Sequence, residues 1–313
     1  MLWILLTISA YLFGAVANIL DKFLLGSKRF SSAPVYAFYV GVFSLWALFF
    51  APFGLRMPNA SGLTLCLLSG AIFLFGILLL YFAIGRAQAS RVVPVVGAVL
   101  PLATFLISLP FKTETLSLFQ ILGILLLIFG GLLISFDLPL RLGKKKFFSG
   151  FLYAIGAGIL LAMAYVLFKY LSQNVFGYLS AKENFVTWYV WTRVGGFVGT
   201  LGLLLVPTWR QDIFKSFHTH RKNKKEALGT GAIFVGNKIV GGLSALLLNL
   251  AFTLGSVTLI NALVSIQYVF VLILAWYFSK NYHKIFSEKL SFWDWAQKLI
   301  AVGIIAVGIF LIK

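Results

Sequence analysis

The segment Ala17-Asn-Ile-Leu-Asp-Lys-Phe-Leu24 returns in altered form 147 residues later as Ala164-Tyr-Val-Leu-Phe-Lys-Tyr-Leu171. Ala17, Leu20, Lys22 and Leu24 meet identical partners in Ala164, Leu167, Lys169 and Leu171. A second echo follows in the same order, Ala83-Ile-Gly-Arg-Ala-Gln-Ala-Ser90 against Ala251-Phe-Thr-Leu-Gly-Ser-Val-Thr258. Each match is short, but their order in the two halves marks an internal duplication. Both octapeptides close a long apolar run, so the duplicated unit is a set of membrane spans.

The composition agrees. Of 313 residues, 61% are hydrophobic and 11% charged, where a soluble chain would carry about a quarter charged, and the mean hydropathy is +0.99. A spanning helix needs about 20 mostly apolar residues. Apolar runs and charged breaks define ten spans, near 2–21, 33–53, 62–84, 92–111, 117–136, 148–171, 185–206, 228–253, 257–278 and 294–312. The expected fold is therefore an all-α polytopic membrane protein of ten transmembrane helices. The longest hydrophilic stretch, Pro207 to Leu228, is too short for a soluble domain. An outer-membrane barrel is excluded because its strands would alternate apolar and polar residues. The N-terminus has no basic region and no small-residue cleavage site, so the first span is expected to be retained.

Five spans in each half is an odd number, so the second half enters the membrane from the opposite side. The duplication then reads as two inverted five-helix repeats, 1–140 and 147–313. Inverted repeats of this kind place a transport site near the bilayer midplane between the halves.

The net charge of +18 is a topology signal before it is a nucleic-acid signal. The loops after the odd-numbered spans hold 18 of the 26 basic residues, including Arg86, Arg141, Lys144 to Lys146, Arg210, Lys215 and Arg221 to Lys225. Basic residues accumulate in cytoplasmic loops. The odd-numbered loops are expected in the cytoplasm and both termini outside, in the cell membrane. Trp3, Trp188 and Trp191 are read as the outer aromatic belt, and Trp209, Trp276, Trp293 and Trp295 as the inner one. The basic run at 221–225 then faces lipid headgroups and needs no DNA or RNA. Cys66 stands alone in an apolar run, and His218, His220 and His283 lack ligand spacing, so neither disulfide nor metal is expected.

The tract Leu80-Tyr-Phe-Ala-Ile-Gly-Arg-Ala-Gln-Ala-Ser-Arg-Val-Val-Pro-Val95 resembles the connection between spans three and four in EamA-type members of the drug/metabolite transporter superfamily. The acidic connections Thr113-Glu-Thr-Leu-Ser117 and Ser287-Glu-Lys-Leu-Ser291 resemble that family too. Each leads into a glycine-containing apolar span, near Ile121-Leu-Gly123 and Leu299-Ile-Ala-Val-Gly303. The resemblance covers essentially the whole chain and implies two EamA units and a transport function. It leaves the substrate open, since the superfamily moves amino acids, sugars, phosphorylated metabolites, drugs and lipid headgroups. The insertion Asn281 to Phe286 departs from the family's short second connection. Small multidrug relatives carry a glutamate deep in their first helix; here Ser9 to Ala15 contain none, which argues against proton-coupled export of a lipophilic cation.

All eight acidic residues fall at span ends or in loops, whereas two cations fall deep. Arg193 lies 10 residues beyond Glu183 and Lys238 12 beyond Glu226, roughly 15–18 Å along a helix. Ionisable groups at that depth mark functional sites, and Arg193 and Lys238 are the candidates for holding a substrate anion. The alternative for Arg193 is pairing with helix-end carbonyls or Asp21. Lys238, Gly241, Gly242, Ala245 and Asn249 share one helix face; Thr7, Tyr11, Gly14, Asn18 and Asp21 share another; Asn261, Ser265 and Tyr268, with Gln267 beside them, form a third. Small and polar faces of this kind either line a cavity or pack against other helices. Asn18, Tyr11, Asn249, Gln267 and Tyr268 are the candidate hydrogen-bonding residues. Gly195 and Gly199 read as a close helix contact, and Pro94 and Pro101 as kinks beside the cavity. Lys22, Lys169 and Lys298 are expected to snorkel.

A secondary transporter of a small polar, anionic or zwitterionic metabolite is the leading expectation. A flippase for a phosphate-containing lipid-linked headgroup is the alternative, with a cavity open sideways to lipid, and a cationic drug exporter comes after it. No nucleophile, paired-carboxylate or phosphate-loop pattern supports an enzyme or an ATP-driven pump. No cofactor is expected; the partners are substrate, lipids and a coupled proton or exchanged solute, with the protein a monomer or dimer.

Overall fold

In lipid an apolar chain satisfies its backbone polar groups by forming helices, and this chain does so over nearly all of the described residues. The computed structural model describes residues 2–26, 32–86, 89–111, 116–135, 146–174, 181–219, 224–279 and 292–312. The elements are α1 (Leu2–Gly26), α2 (Ala33–Phe43), a 3-10 segment η1 (Ser44–Phe53), α3 (Ala60–Arg86), α4 (Ala89–Phe111), α5 (Leu118–Ser135), α6 (Lys146–Asn174), α7 (Ala181–Leu203), α8 (Pro207–Thr219), α9 (Lys224–Leu254), α10 (Val257–Ala262), α11 (Val264–Ser279) and α12 (Phe292–Leu311). There is no strand among the described residues. Seven segments are long and apolar enough to cross a bilayer, or eight counting the bent pair α7–α8. Two shorter apolar helices, Leu118–Ile134 and Ala296–Leu311, occupy the places of the expected fifth and tenth spans. The chain is thus a polytopic, membrane-embedded helical protein. The connections carrying Glu114 and Glu288, the insertion Asn281–Phe286, and the side chains of Lys22, His218, His220, His283 and 221–225 lie outside the described residues.

Local chemistry sets several boundaries. The Ser117 hydroxyl accepts from Gln120 N at 3.3 Å, and Gln120 Oε1 accepts from Ser117 N at 3.1 Å, a capping box that starts α5. Asn59 Oδ1 accepts from Gly62 N at the head of α3, and Ser256 from Leu259 N at the head of α10. Gly54 adopts φ +127°, and a β-carbon there would stand 2.8 Å from Glu183 Cγ, so the turn after η1 suits glycine. Pro207 opens α8, where a missing N–H costs nothing, and the chain bends by 104° between α7 and α8. The hydrophilic segment after Pro207 therefore begins as a helix.

α1 packs along α9, and α3 packs along both α6 and α7; α4 lies against α6, and α5 against α12. The α3–α7 contact is a glycine seam. A β-carbon on Gly195 would meet Leu67 Cα at 2.6 Å, and one on Gly70 would overlap the Thr192 carbonyl. Gly199 faces Ala71 in the same seam.

Two sequence expectations change here. Trp188 is not a belt residue: it is fully buried, with its indole N–H on Asn184 Oδ1 at 3.1 Å. Lys169 does not snorkel. It is buried and donates to Phe252 O at 2.7 Å and Gly255 O at 3.0 Å, so its ammonium caps the carbonyl end of α9, where the helix dipole favours a cation. Lys298 is buried as well.

Candidate functional site

The central feature is a cavity of about 540 Å³ bounded by α2 and η1, α3, α6, α7 and α9. Its lining comes from the middle of each helix: Ser69 to Ile77 of α3, Ala164 to Phe168 of α6, Tyr189 to Gly196 of α7 and Lys238 to Asn249 of α9. The Lys238, Gly241, Gly242, Ala245 and Asn249 face of α9 points into it in full. On the opposite wall η1 contributes Ser44, Trp46, Ala47, Phe49 and Phe50. A 3-10 run of ten residues is long for that helix type, which often marks a hinge or strain.

Arg193 sits half-way along α7, with its guanidinium 5.1 Å from the Phe73 ring centroid and 5.0 Å from that of Tyr189. The aromatic faces hold the plane of the group and offer no acceptor for its edge. Its Nε is buried with no hydrogen-bond partner. Among the described residues the ion pairs are Arg56–Glu183 and Lys238–Asp21, so no carboxylate neutralises Arg193. Three other polar side chains on the wall, Ser69, Thr192 and Asn249, donate locally. Ser69 donates to Ala164 O, Thr192 to Trp188 O and Tyr189 O, and Asn249 to Ala245 O. Ser44 donates to Gly41 O and Arg193 O, which ties the start of η1 to the helix carrying the arginine.

Lys238 requires a correction. It is not an unpaired cation at mid-depth, because its Nζ lies 3.3 Å from Asp21 Oδ1. It stands seven residues inside the apolar part of α9, Gly231–Leu254, about 10 Å of helix. Asp21 also accepts from Asn237 Nδ2 at 2.5 Å and from the Tyr36 hydroxyl. The Lys238 ammonium lies over the Tyr36 and Phe234 rings at 4.7 and 5.2 Å. Phe234 in turn meets Tyr36, Tyr39 and Phe43 edge to face. This cluster joins α1, α2 and α9 and closes one end of the cavity. Beyond it the lining residues Trp46 and Phe49 of η1 and Ile239 and Leu243 of α9 are exposed, so the cavity reaches the lateral surface between η1 and α9.

Of the residues singled out in the sequence, Arg193, Lys238 and Asn249 meet on the cavity wall. Tyr11, Asn18, Gln267 and Tyr268 do not line it. Tyr11 donates to Ile260 O at 2.8 Å and Tyr268 to Val93 O at 3.0 Å, while Asn261 donates to Thr104 and Ser265 to Leu127 O. These are interhelical bonds. Gln267 packs near Gly14 and Ser244 between α1 and α11. Sequence reasoning missed Ser44 and the aromatic wall, Phe49, Phe50, Phe73 and Tyr165, because apolar side chains in a span carry no sign of which face meets a cavity and which meets lipid. Pro94 and Pro101 sit within the continuous α4, away from the cavity.

No family model matches the chain. An uncharacterized protein of Methanocaldococcus jannaschii is 41% identical over 73 residues, 23% of this chain and 53% of the relative. The matched part thus spans about half the length of that curated relative. A solved structure titled only as the crystal structure of a protein superposes with a TM-score of 0.61 at 15% identity, over 99% of this chain and 96% of the other. That likeness concerns the fold along the whole chain and carries no chemistry.

Proposed function

We propose that the protein is a secondary transporter in which Arg193 holds the anionic group of a small polar, anionic or zwitterionic substrate. The carrying observation is the buried, unpartnered Nε of an always-charged side chain at mid-depth in a membrane cavity. Buried polar groups without partners are rare enough to require an explanation, and a guanidinium edge matches carboxylate or phosphate. Asn249 lines the same cavity, and Lys238 would join the site when it leaves Asp21.

The helix packing supports counting α5 and α12 as spans and reading ten spans as two inverted repeats of the EamA kind. Exchanging the halves turns α1 into α6 and α3 into α9, and the α1–α9 and α3–α6 contacts are the most extensive in the molecule. The same exchange pairs α3–α7 with α9–α2. The first of these is a glycine seam, whereas the second touches through the Phe234 side chain without close backbone packing. That asymmetry is what one arm of an alternating-access cycle requires; the other arm would part α3 from α7 and close α9 on α2. The relative of which 73 residues make up 53% is shorter than half of this chain, a length suited to one five-helix unit.

The lateral opening at Trp46 and Ile239 favours a second reading, a flippase whose substrate carries a phosphate headgroup and keeps its tail in the bilayer. Proteoliposome flux separates the two. Water-soluble carboxylates and phosphates should move under the first reading, and labelled phospholipid should cross leaflets under the second. Either way Arg193→Ala should lower the rate roughly tenfold or more, as loss of charge-assisted hydrogen bonds would. Wild-type rates for every anion in that variant would refute the role of Arg193.

A further inference from the structure

A second groove, of about 580 Å³, runs between α3 and α6 beneath the start of α8. Its α3 wall is one stripe: Phe75, Leu79, Phe82 and Arg86 recur at spacings of four, three and four, the repeat of a single helix face. Across from it, Leu160 and Tyr153 stand seven apart on α6. The helices run antiparallel, so Leu160 lies by Gly76 at the deep end and Tyr153 by Arg86 at the other. From Phe75 to Arg86 the stripe is about 16 Å long, close to half the roughly 30 Å hydrocarbon core.

The groove therefore changes character at one end only. The Arg86 guanidinium stacks 4.2 Å from the Tyr153 ring centroid and 5.4 Å from that of Phe82. Trp209, two residues after α8 begins, packs on Phe82 at 5.9 Å. Stacking uses the face of a guanidinium and leaves its N–H edge available. Arg86 is exposed and takes part in neither ion pair among the described residues.

We propose that this groove binds an anionic phospholipid, with one acyl chain along the Phe75–Leu79–Leu160 wall and the phosphate against Arg86 and the Trp209 indole N–H. The apolar length equals one leaflet, the cation sits where that leaflet's headgroup falls, and a basic pocket between membrane helices is suited to acidic headgroups. A free phosphate would leave the apolar length unused. A zwitterionic lipid presents the same phosphate beside its own ammonium, which competes with the arginine for it and carries no net charge to attract it. The site does not depend on the transport reading, since it lies apart from Arg193 and requires no transport.

The test is thermal unfolding of the full-length, delipidated protein in detergent, titrated with phosphatidylglycerol, phosphatidylcholine or inorganic phosphate. A ligand of the folded state raises apparent stability with its concentration. Phosphatidylglycerol should stabilise most, phosphatidylcholine less because its ammonium offsets its phosphate, and inorganic phosphate not at all. Arg86→Gln should weaken the phosphatidylglycerol effect about fivefold, while leaving the unliganded melting temperature close to wild type. Leu79→Trp keeps the cation but fills the groove and should abolish the effect. Equal stabilisation by both lipids, or a response to phosphate that survives Leu79→Trp, would overturn the proposal. A phosphatidylglycerol preference unchanged in both variants would overturn it too.

Discussion

Asp21 and Lys238 show how one residue is read differently once its neighbours are known. Their separation of 217 positions hides a 3.3 Å ion pair with side chains only 23% and 14% exposed. Removing one partner of a partly buried pair strands the other charge, whereas removing both does not. Asp21→Asn should therefore destabilise the protein more than Asp21→Asn combined with Lys238→Met. A double-mutant cycle by denaturation in detergent should give a coupling of about 0.5–3 kcal/mol; strictly additive changes would mean that the pair contributes nothing. Arg193 is the converse case. Its place half-way along a helix was legible from its distance to Glu183, but the buried, unpartnered Nε was not, because a sequence does not show what another helix brings near.

At the scale of elements, Lys169 organises the junction between α9 and α10. It delivers a charge to two carbonyls at a helix end, each such bond being worth about 1.5–3 kcal/mol. Lys169→Met should lower stability by about that amount and raise hydrogen exchange around 252–256, the segment its ammonium holds. An unchanged exchange pattern would show that the cap is dispensable. Its repeat partner, Lys22, was visible from the sequence as a match, but the purpose of the match was not. The α9 face from Lys238 to Asn249 was legible because glycine, alanine and asparagine at helical spacing differ chemically from leucine. The wall opposite, η1, is aromatic and apolar after Ser44, so its role emerged only with the packing.

At the scale of the whole molecule, the contrast between a close-packed α3–α7 seam and an α2–α9 pair that meets only through side chains predicts a movement. A β-carbon on Gly199 would lie 2.9 Å from Ala71 Cα and 3.2 Å from Ala71 Cβ, so a shift of a few tenths of an ångström brings the pair to disulfide spacing. With Cys66 replaced by serine, Ala71→Cys and Gly199→Cys should form a disulfide that locks the seam. Transport should stop under oxidation and return on reduction, while anion binding, read by thermal shift, persists in both states. Undiminished flux in the oxidised protein would remove the proposed α3–α7 opening from the cycle.

By itself the sequence determined that the chain is helical and membrane-embedded, roughly where its apolar segments fall, and that Arg193 and Lys238 stand within such segments. These follow from hydropathy and helical rise, which act along the chain and need no partner. Tertiary structure decided which charges are paired, which aromatic faces line the central cavity, and where α3 and α6 leave a groove ending in Arg86. Those properties depend on contacts between helices distant in sequence. In a chain this uniformly apolar, a residue facing lipid and one facing a cavity have the same composition and differ only in what stands opposite.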